Sequence, residues 1–247
     1  MSGSGNAAFG RIAVVMAMHD EAAPVIAALG ARSVAHHGQH LHDWFEATLP
    51  GNAEVLIAVN AVDPALGVAG VGPEPAVMTT LHVVEHWRPD IVVSAGTAGG
   101  WAAKGGGIGK AYLAGPVVVR HDRRIDIPGY AEYAIGSYPC HPLDEVAAAL
   151  GLTTGVVSSG GSLDENDDDR RMIDATGAVA KDMEATSVAQ VCALHGVAFT
   201  GLKVLTDLHD APATTADQFQ ANLASAAEAL AGHLIRLVAA LASGPTR

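Results

Sequence analysis

The sequence predicts a single-domain, three-layer α/β/α fold with a mixed central sheet, and three observations carry that prediction. Short β-rich runs alternate with segments of helical period, the pattern left when helices cover a sheet. Three of these runs end in an acidic residue just where the strand gives way to helix or turn. No internal repeat, and no linker rich in Pro, Ser or charge, divides the 247 residues, a length that one domain accommodates.

Taken in order, residues 1–10 read as a flexible tail and residues 11–247 as the domain. Strands are expected at Arg11 to Val15, Asp43 to Thr48, Glu54 to Asn60, Ile91 to Ala95, Ala111 to Val119, Gly155 to Ser158 and Thr200 to Leu205. Helical periods fall at Glu74 to Trp87, Glu184 to Leu194 and Thr215 to Leu241. The first of these follows the small-residue turn Val68–Pro75, whose prolines suit a first helical turn. In the last, Phe219, Leu223, Ala226, Leu230, Leu234, Leu237 and Leu241 recur at three- and four-residue steps. Thr215 with Gln218 reads as its capping box, and Gly244-Pro245 as its stop.

Composition narrows the function. A formal net charge of −12, with 49% hydrophobic and 16% charged residues, describes a well-buried protein with an acidic surface. Nucleic acid and anionic membranes are poor partners for such a surface. No apolar run reaches the roughly 20 residues of a membrane span, and the N-terminus lacks the basic and apolar regions of a secretory signal. A cytoplasmic location is the default expectation. Cys140 and Cys192 lie far apart without CxxC spacing and are expected to be free thiols.

Several motifs exclude more than they assert. Ser94-Ala95-Gly96-Thr97-Ala98-Gly99-Gly100 follows a strand and reads either as a plain sharp turn or as a segment that approaches a ligand closely, with the Thr97 hydroxyl open to a sugar or a water, but it is neither GxGxxG nor a Walker loop. His36, His37, His40 and His42 crowd one stretch without the spacing of a metal motif, so no native metal site and no cofactor is predicted, only incidental affinity for nickel or zinc. No GxSxG elbow supports a serine hydrolase. The acids remain. Asp20 or Glu184 can serve as a helix cap or first-turn charge, as can Glu21, whereas Asp207, ending the apolar run Leu202–Thr206, needs a partner or a shifted pKa.

Together, Ala17-Met18-His19-Asp20-Glu21, Gly96-Thr97-Ala98-Gly99-Gly100, Lys181-Asp182-Met183-Glu184 and Lys203-Val204-Leu205-Thr206-Asp207 resemble the 5′-methylthioadenosine/S-adenosylhomocysteine nucleosidases, within the purine nucleoside phosphorylase-like superfamily. The likeness runs from about Arg11 to the last helix. His121–Pro128 and Ser162-Leu163-Asp164 look like the plant-type branch, which favours methylthioadenosine. The resemblance implies a nucleoside phosphorylase-like fold and hydrolysis of an N-glycosidic bond in methionine salvage. Glu21 would activate water, Asp207 would protonate or hydrogen-bond purine N7, and Glu184 would hold the ribose hydroxyls. Met183 would pack on the sugar, Thr97 would sit near the ribose and the water, and Lys203 would orient that water. Leu163 would cover the adenine, the backbone around Asp164 would read its edge, and Phe219 with residues near Tyr130 would line the 5′-alkylthio pocket, some from the second subunit of a homodimer. The sequence departs from the family at Gly160-Gly161, where relatives commonly carry Gly-Asp. Other readings stay open: action on S-adenosylhomocysteine, futalosine or 5′-deoxyadenosine, a phosphate-dependent phosphorylase, or a non-catalytic nucleoside-binding protein.

Overall fold

The computed structural model describes residues 8–38 and 40–244. Among them, ten strands form one mixed sheet: β1 (Arg11–Met16), β2 (Arg32–Val34), β3 (His42–Thr48), β4 (Glu54–Asn60), β5 (Ile91–Gly100), β6 (Ala111–Arg120), β7 (Tyr138–Pro139), β8 (Thr153–Ser159), β9 (Ala180–Asp182) and β10 (Ala198–Leu208). The helices are α1 (His19–Leu29), α2 (Pro73–His82), α3 (Ala131–Ile135), α4 (Asp144–Leu150), α5 (Asp167–Thr176), α6 (Ala185–His195) and α7 (Thr215–Ser243).

β1 shows why the layers form. It lies parallel between β4 and β5. Its Ile12, Val14 and Met16 join the core beneath α1 and α7, while Ala13 and Val15 join the core beneath α2 and α6. Side chains alternate across a strand, so a strand covered on both faces must be apolar at every position. β5 is shared by two halves of the sheet. It pairs with β1 on one side, and it closes a ring through β9, β8, β6 and β10 on the other. The ring brings the carboxyl ends of the parallel strands β1, β5 and β10 together.

Every predicted strand and helical segment reappears, with differences that have physical causes. β2, β7 and β9, only two or three residues each, carry too little pattern to be read from sequence. The segment Glu74 to Trp87 is α2 followed by a π-helical turn, Val83–Trp87, stopped by Arg88 in the left-handed region at φ 54°. The cap of α7 is Thr214 and not Thr215: Thr214 Oγ1 accepts the Asp217 N–H at 3.1 Å. Gln218 instead reaches back to both the N–H and the C=O of Leu208, tying the helix to the end of β10.

By length and composition α7 could span a membrane, which the sequence reading did not anticipate. Its buried stripe from Ala226 to Leu241 packs into the core and its other face exposes Glu228 and Arg236, the pattern of a core helix. Of the tail, residues 1–7 lie outside the described residues, as does Pro245 at the other end. Phe9 is fastened, donating its N–H to Leu241 at 3.0 Å and setting its ring edge-on to His141. Cys140 and Cys192 are buried free thiols, each pushed up to about 12 by burial.

Candidate active site

A cavity of about 410 Å3 opens where β1, β5 and β10 end, a size suited to a small organic ligand. Its wall includes Glu21, Thr97, Leu163, Met183, Glu184, Asp207 and Phe219, contributed by segments scattered over nearly two hundred residues of sequence. Asp164 and Lys203 do not line it. The Asp164 carbonyl accepts from Lys181, and Lys203 lies behind the wall, beside a second cavity of about 10 Å3 shared with Glu21, Ser94 and Glu184.

The glycine-rich segment is extended, not the sharp turn expected, because β5 runs on to Gly100. Its small residues make room for acids. A Cβ on Gly99 would stand 2.7 Å from Asp207 Oδ2 and 2.5 Å from His209 Nε2, and one on Gly96 would stand 3.2 Å from Glu21 Oε2.

Glu21 sits in the first turn of α1, but its side chain turns inward and is buried. Thr97 donates both its backbone N–H and its hydroxyl to Oε1, each at 2.6 Å, and so fixes the carboxyl. Oε2 is buried with no hydrogen-bond partner. Burial raises the pKa of Glu21, against the two Thr97 hydrogen bonds that lower it. A basic oxygen is thus held still and aimed at the cavity.

Asp207 follows a register shift in the pairing of β10 with β5, which turns it toward the cavity. Oδ1 accepts from the Thr206 hydroxyl at 2.8 Å, while Oδ2 is buried and unpartnered. Burial raises its pKa, the direction a proton donor requires, against the lowering effects of Thr206 and Lys181. His209 stands beside it, with Nε2 3.7 Å from Asp207 Oδ2 and Nδ1 3.8 Å from Glu165 Oε2, another buried unpartnered oxygen. Its ring stacks on Trp101, and burial, with Lys181 and Arg170, lowers its pKa to about 4. The sequence reading passed over His209. Its position two residues after Asp207, just past the end of β10, was the available signal.

Glu184 begins α6 without capping it. Its Oε1 accepts the Gly72 N–H at 2.7 Å, anchoring the start of α2 to the cavity wall. The first amide of α6 is satisfied by Asp182 Oδ2 instead, which also pairs with Lys203 Nζ at 2.7 Å. This pair is almost fully buried, so each ion depends on the other. For Lys203, burial lowers the pKa but Asp182, Glu184 and Glu21 outweigh it, leaving it raised and charged. For Glu184, burial and then the Asp182 charge raise the carboxyl to about 7.

That shift has a pH signature. A carboxyl raised in the folded state favours folding fully below its ordinary pKa and loses that contribution as pH rises through about 7. Wild-type stability is therefore expected to fall more steeply than that of Glu184→Gln between about pH 4.5 and 7, measured by denaturant melts across that range. Equal slopes would show that Glu184 ionises normally.

Lys181, whose role the sequence does not disclose, organises the roof. Its Nζ donates to the carbonyls of Ser162, Leu163 and Asp164 at 2.8, 2.8 and 2.6 Å, holding Leu163 over the cavity. Next to them the Gly161 N–H donates to Asp122 at 2.6 Å, so the Gly160-Gly161 turn is fastened to the loop after β6.

A mixed sheet closed around β5, with opposed acids at the carboxyl ends of its parallel strands, defines a protein of the nucleoside phosphorylase class, and the sequence profile of the phosphorylase superfamily matches residues 11–239. A 5′-methylthioadenosine nucleosidase of Arabidopsis thaliana is 34% identical over 239 residues, covering 92% of this chain and 85% of its own. A 5′-methylthioadenosine/S-adenosylhomocysteine nucleosidase of the same plant is 35% identical over 176 residues, covering 71% of this chain and 69% of its own. The apo structure of an Arabidopsis thaliana 5′-methylthioadenosine nucleosidase superimposes with a TM-score of 0.90 at 31% identity, covering 95% of this chain and 97% of that one. The chain belongs to the 5′-methylthioadenosine/S-adenosylhomocysteine nucleosidase family.

Proposed function

We propose that this chain hydrolyses the N-glycosidic bond of 5′-methylthioadenosine, releasing adenine and the 5-methylthio sugar. The observation that carries the reading is the pairing of a restrained base with a protonatable acid across one cavity. Glu21, held by Thr97, takes a proton from water as its oxygen attacks the anomeric carbon. Asp207 gives a proton to, or shares one with, purine N7, so that adenine leaves as a neutral base. Positive charge that builds on the sugar is met by the carboxylate of Glu21 and by Glu184, which also faces the ribose hydroxyls. Met183 packs on the sugar and Leu163 covers the base. His209 serves as a positioning residue for Asp207, its imidazole facing the otherwise unpartnered oxygen.

Water is a better nucleophile here than phosphate. No arginine lines the cavity among the described residues, Lys181 is committed to three carbonyls, and Lys203 is neutralised by Asp182. A phosphate dianion would meet Glu21 and Glu184 without a free cation to offset them. Apolar lining by Val68, Val71 and Phe219 suits a methylthio group better than the charged amino-acid tail of S-adenosylhomocysteine.

The working unit in this reading is a cytoplasmic homodimer acting in methionine salvage. Val62, Leu66, Val68, Val71, Met78 and Leu81 are exposed apolar side chains in one stretch of chain, and Val68 and Val71 belong to the cavity wall. A second subunit covering that stretch would shield it and complete the 5′ side of the pocket. Light scattering at micromolar concentration is expected to give twice the chain mass; a monomer would remove this part of the reading. Adenine release from 5′-methylthioadenosine by purified protein tests the activity itself.

A further inference from the structure

Away from the catalytic cavity, three histidines converge from separate parts of the fold: His36 in the segment between β2 and β3, His42 at the start of β3, and His82 at the end of α2. One ring nitrogen from each lies within 4.8 Å of the other two. We propose that His36, His42 and His82 form a binding site for a divalent transition-metal ion of the zinc class, with solvent completing its coordination.

Two of the three nitrogens already stand near the separation such an ion takes. His42 Nε2 and His82 Nδ1 are 3.0 Å apart, against ~3.3 Å for two nitrogens bound at 2.0–2.1 Å to a tetrahedral zinc. At present they share one hydrogen bond, which an ion would replace with two bonds of its own. His42 is fully buried, and its other nitrogen, Nδ1, has no partner, so the ring makes few competing bonds. His36 stacks on both His42 and Trp44, with centroids 4.6 and 4.2 Å away, which keeps its ring beside the pair. To ligate, it must turn out of this stack, because an imidazole lone pair lies in the ring plane and two parallel rings cannot both face one ion, and it must release either the Gly38 N–H, 3.1 Å from Nδ1, or the His42 carbonyl, 3.0 Å from Nε2. Gly38 sets the closeness of this loop to the helix, since a Cβ there would stand 2.7 Å from His82 Cε1.

The donor set selects the ion. Three imidazoles and no carboxylate suit zinc, nickel or copper and not the oxygen-seeking calcium or magnesium. Burial lowers the pKa of all three rings, that of His42 to about 3, so their lone pairs face little competition from protons near neutrality. The spacing within His36–His42 could not disclose this, because His82 enters from 40 residues beyond His42.

The test is calorimetric titration of Zn2+ into untagged, chelator-treated protein. One equivalent per chain is expected, with His36→Ala and His82→Ala each weakening binding more than roughly tenfold, since even outer-shell changes at metal sites cost about that much. His195→Ala, on an exposed helix end, should leave binding unchanged. Circular dichroism of the metal-free variants checks that they are folded, and His36→Ala, altering a half-buried loop side chain, decides the matter if His82→Ala is not. Absence of saturable binding in the wild type, or binding that persists in folded His36→Ala, would overturn the site.

Discussion

Asp207→Asn is expected to lower the turnover of adenine release by roughly a hundredfold or more, the lower range of what a positioned general acid supplies. An amide keeps the shape of the side chain and can still accept from the Thr206 hydroxyl, but its N–H protons are not acidic enough to be given up to the departing purine. Oδ2 of this buried acid accepts no hydrogen bond and Asp207 lines the cavity, as the proposed role in the reaction requires. The sign of the pKa shift makes a second statement. Because burial raises Asp207, ionising it destabilises the fold as pH rises, and the Asn variant should melt no earlier than the wild type near neutrality. Loss of turnover without loss of stability marks a group kept for chemistry. A wild-type rate in Asp207→Asn would remove it from the acid role, and a collapsed melting curve would recast it as structural.

Glu21→Gln should cost a comparable factor from the other side of the bond, roughly a hundredfold or more in kcat. Glutamine can keep a carbonyl oxygen on the two Thr97 donors, so the geometry survives while the basic oxygen is lost. The wild-type rate should fall as pH drops through the raised pKa of Glu21, since water is activated only by the carboxylate. In the variant that acidic limb should vanish. A limb that persists in Glu21→Gln would assign it to another group, with Glu184, raised to about 7, the first to examine.

The parts of this molecule that could be read from sequence are those governed by short-range pattern. Apolar runs such as Ile12–Met16 mark strands buried on both faces, and the three- and four-residue steps from Phe219 to Leu241 mark the long helix, because period follows directly from backbone geometry. The acids at strand ends pointed to the site for a related reason: burial of a carboxyl is costly unless something uses it. What escaped was set by distance. β9 is three residues held by β5 and β8, and neither its pairing nor the buried Lys203–Asp182 ion pair has a local signature. The Gly72 N–H that orients Glu184 comes from 112 residues away. The glycines of β5 were seen, but their reason, space for Asp207 and Glu21, exists only once three chain segments meet. Lys203 shows the limit of assigning roles by motif. It is near the reacting centre yet behind the wall, supporting Glu21 and Glu184 by its charge and not by reaching the cavity.

The choice between water and phosphate decides the central claim, because it turns on there being, among the described residues, no free cation beside Glu21 and Glu184 in the cavity wall. Purified protein should release adenine from 5′-methylthioadenosine in phosphate-free buffer, at a rate that added phosphate leaves unchanged, with methylthioribose as the second product. Release that requires phosphate, yielding the sugar 1-phosphate, would contradict the account and place the chain among phosphorylases.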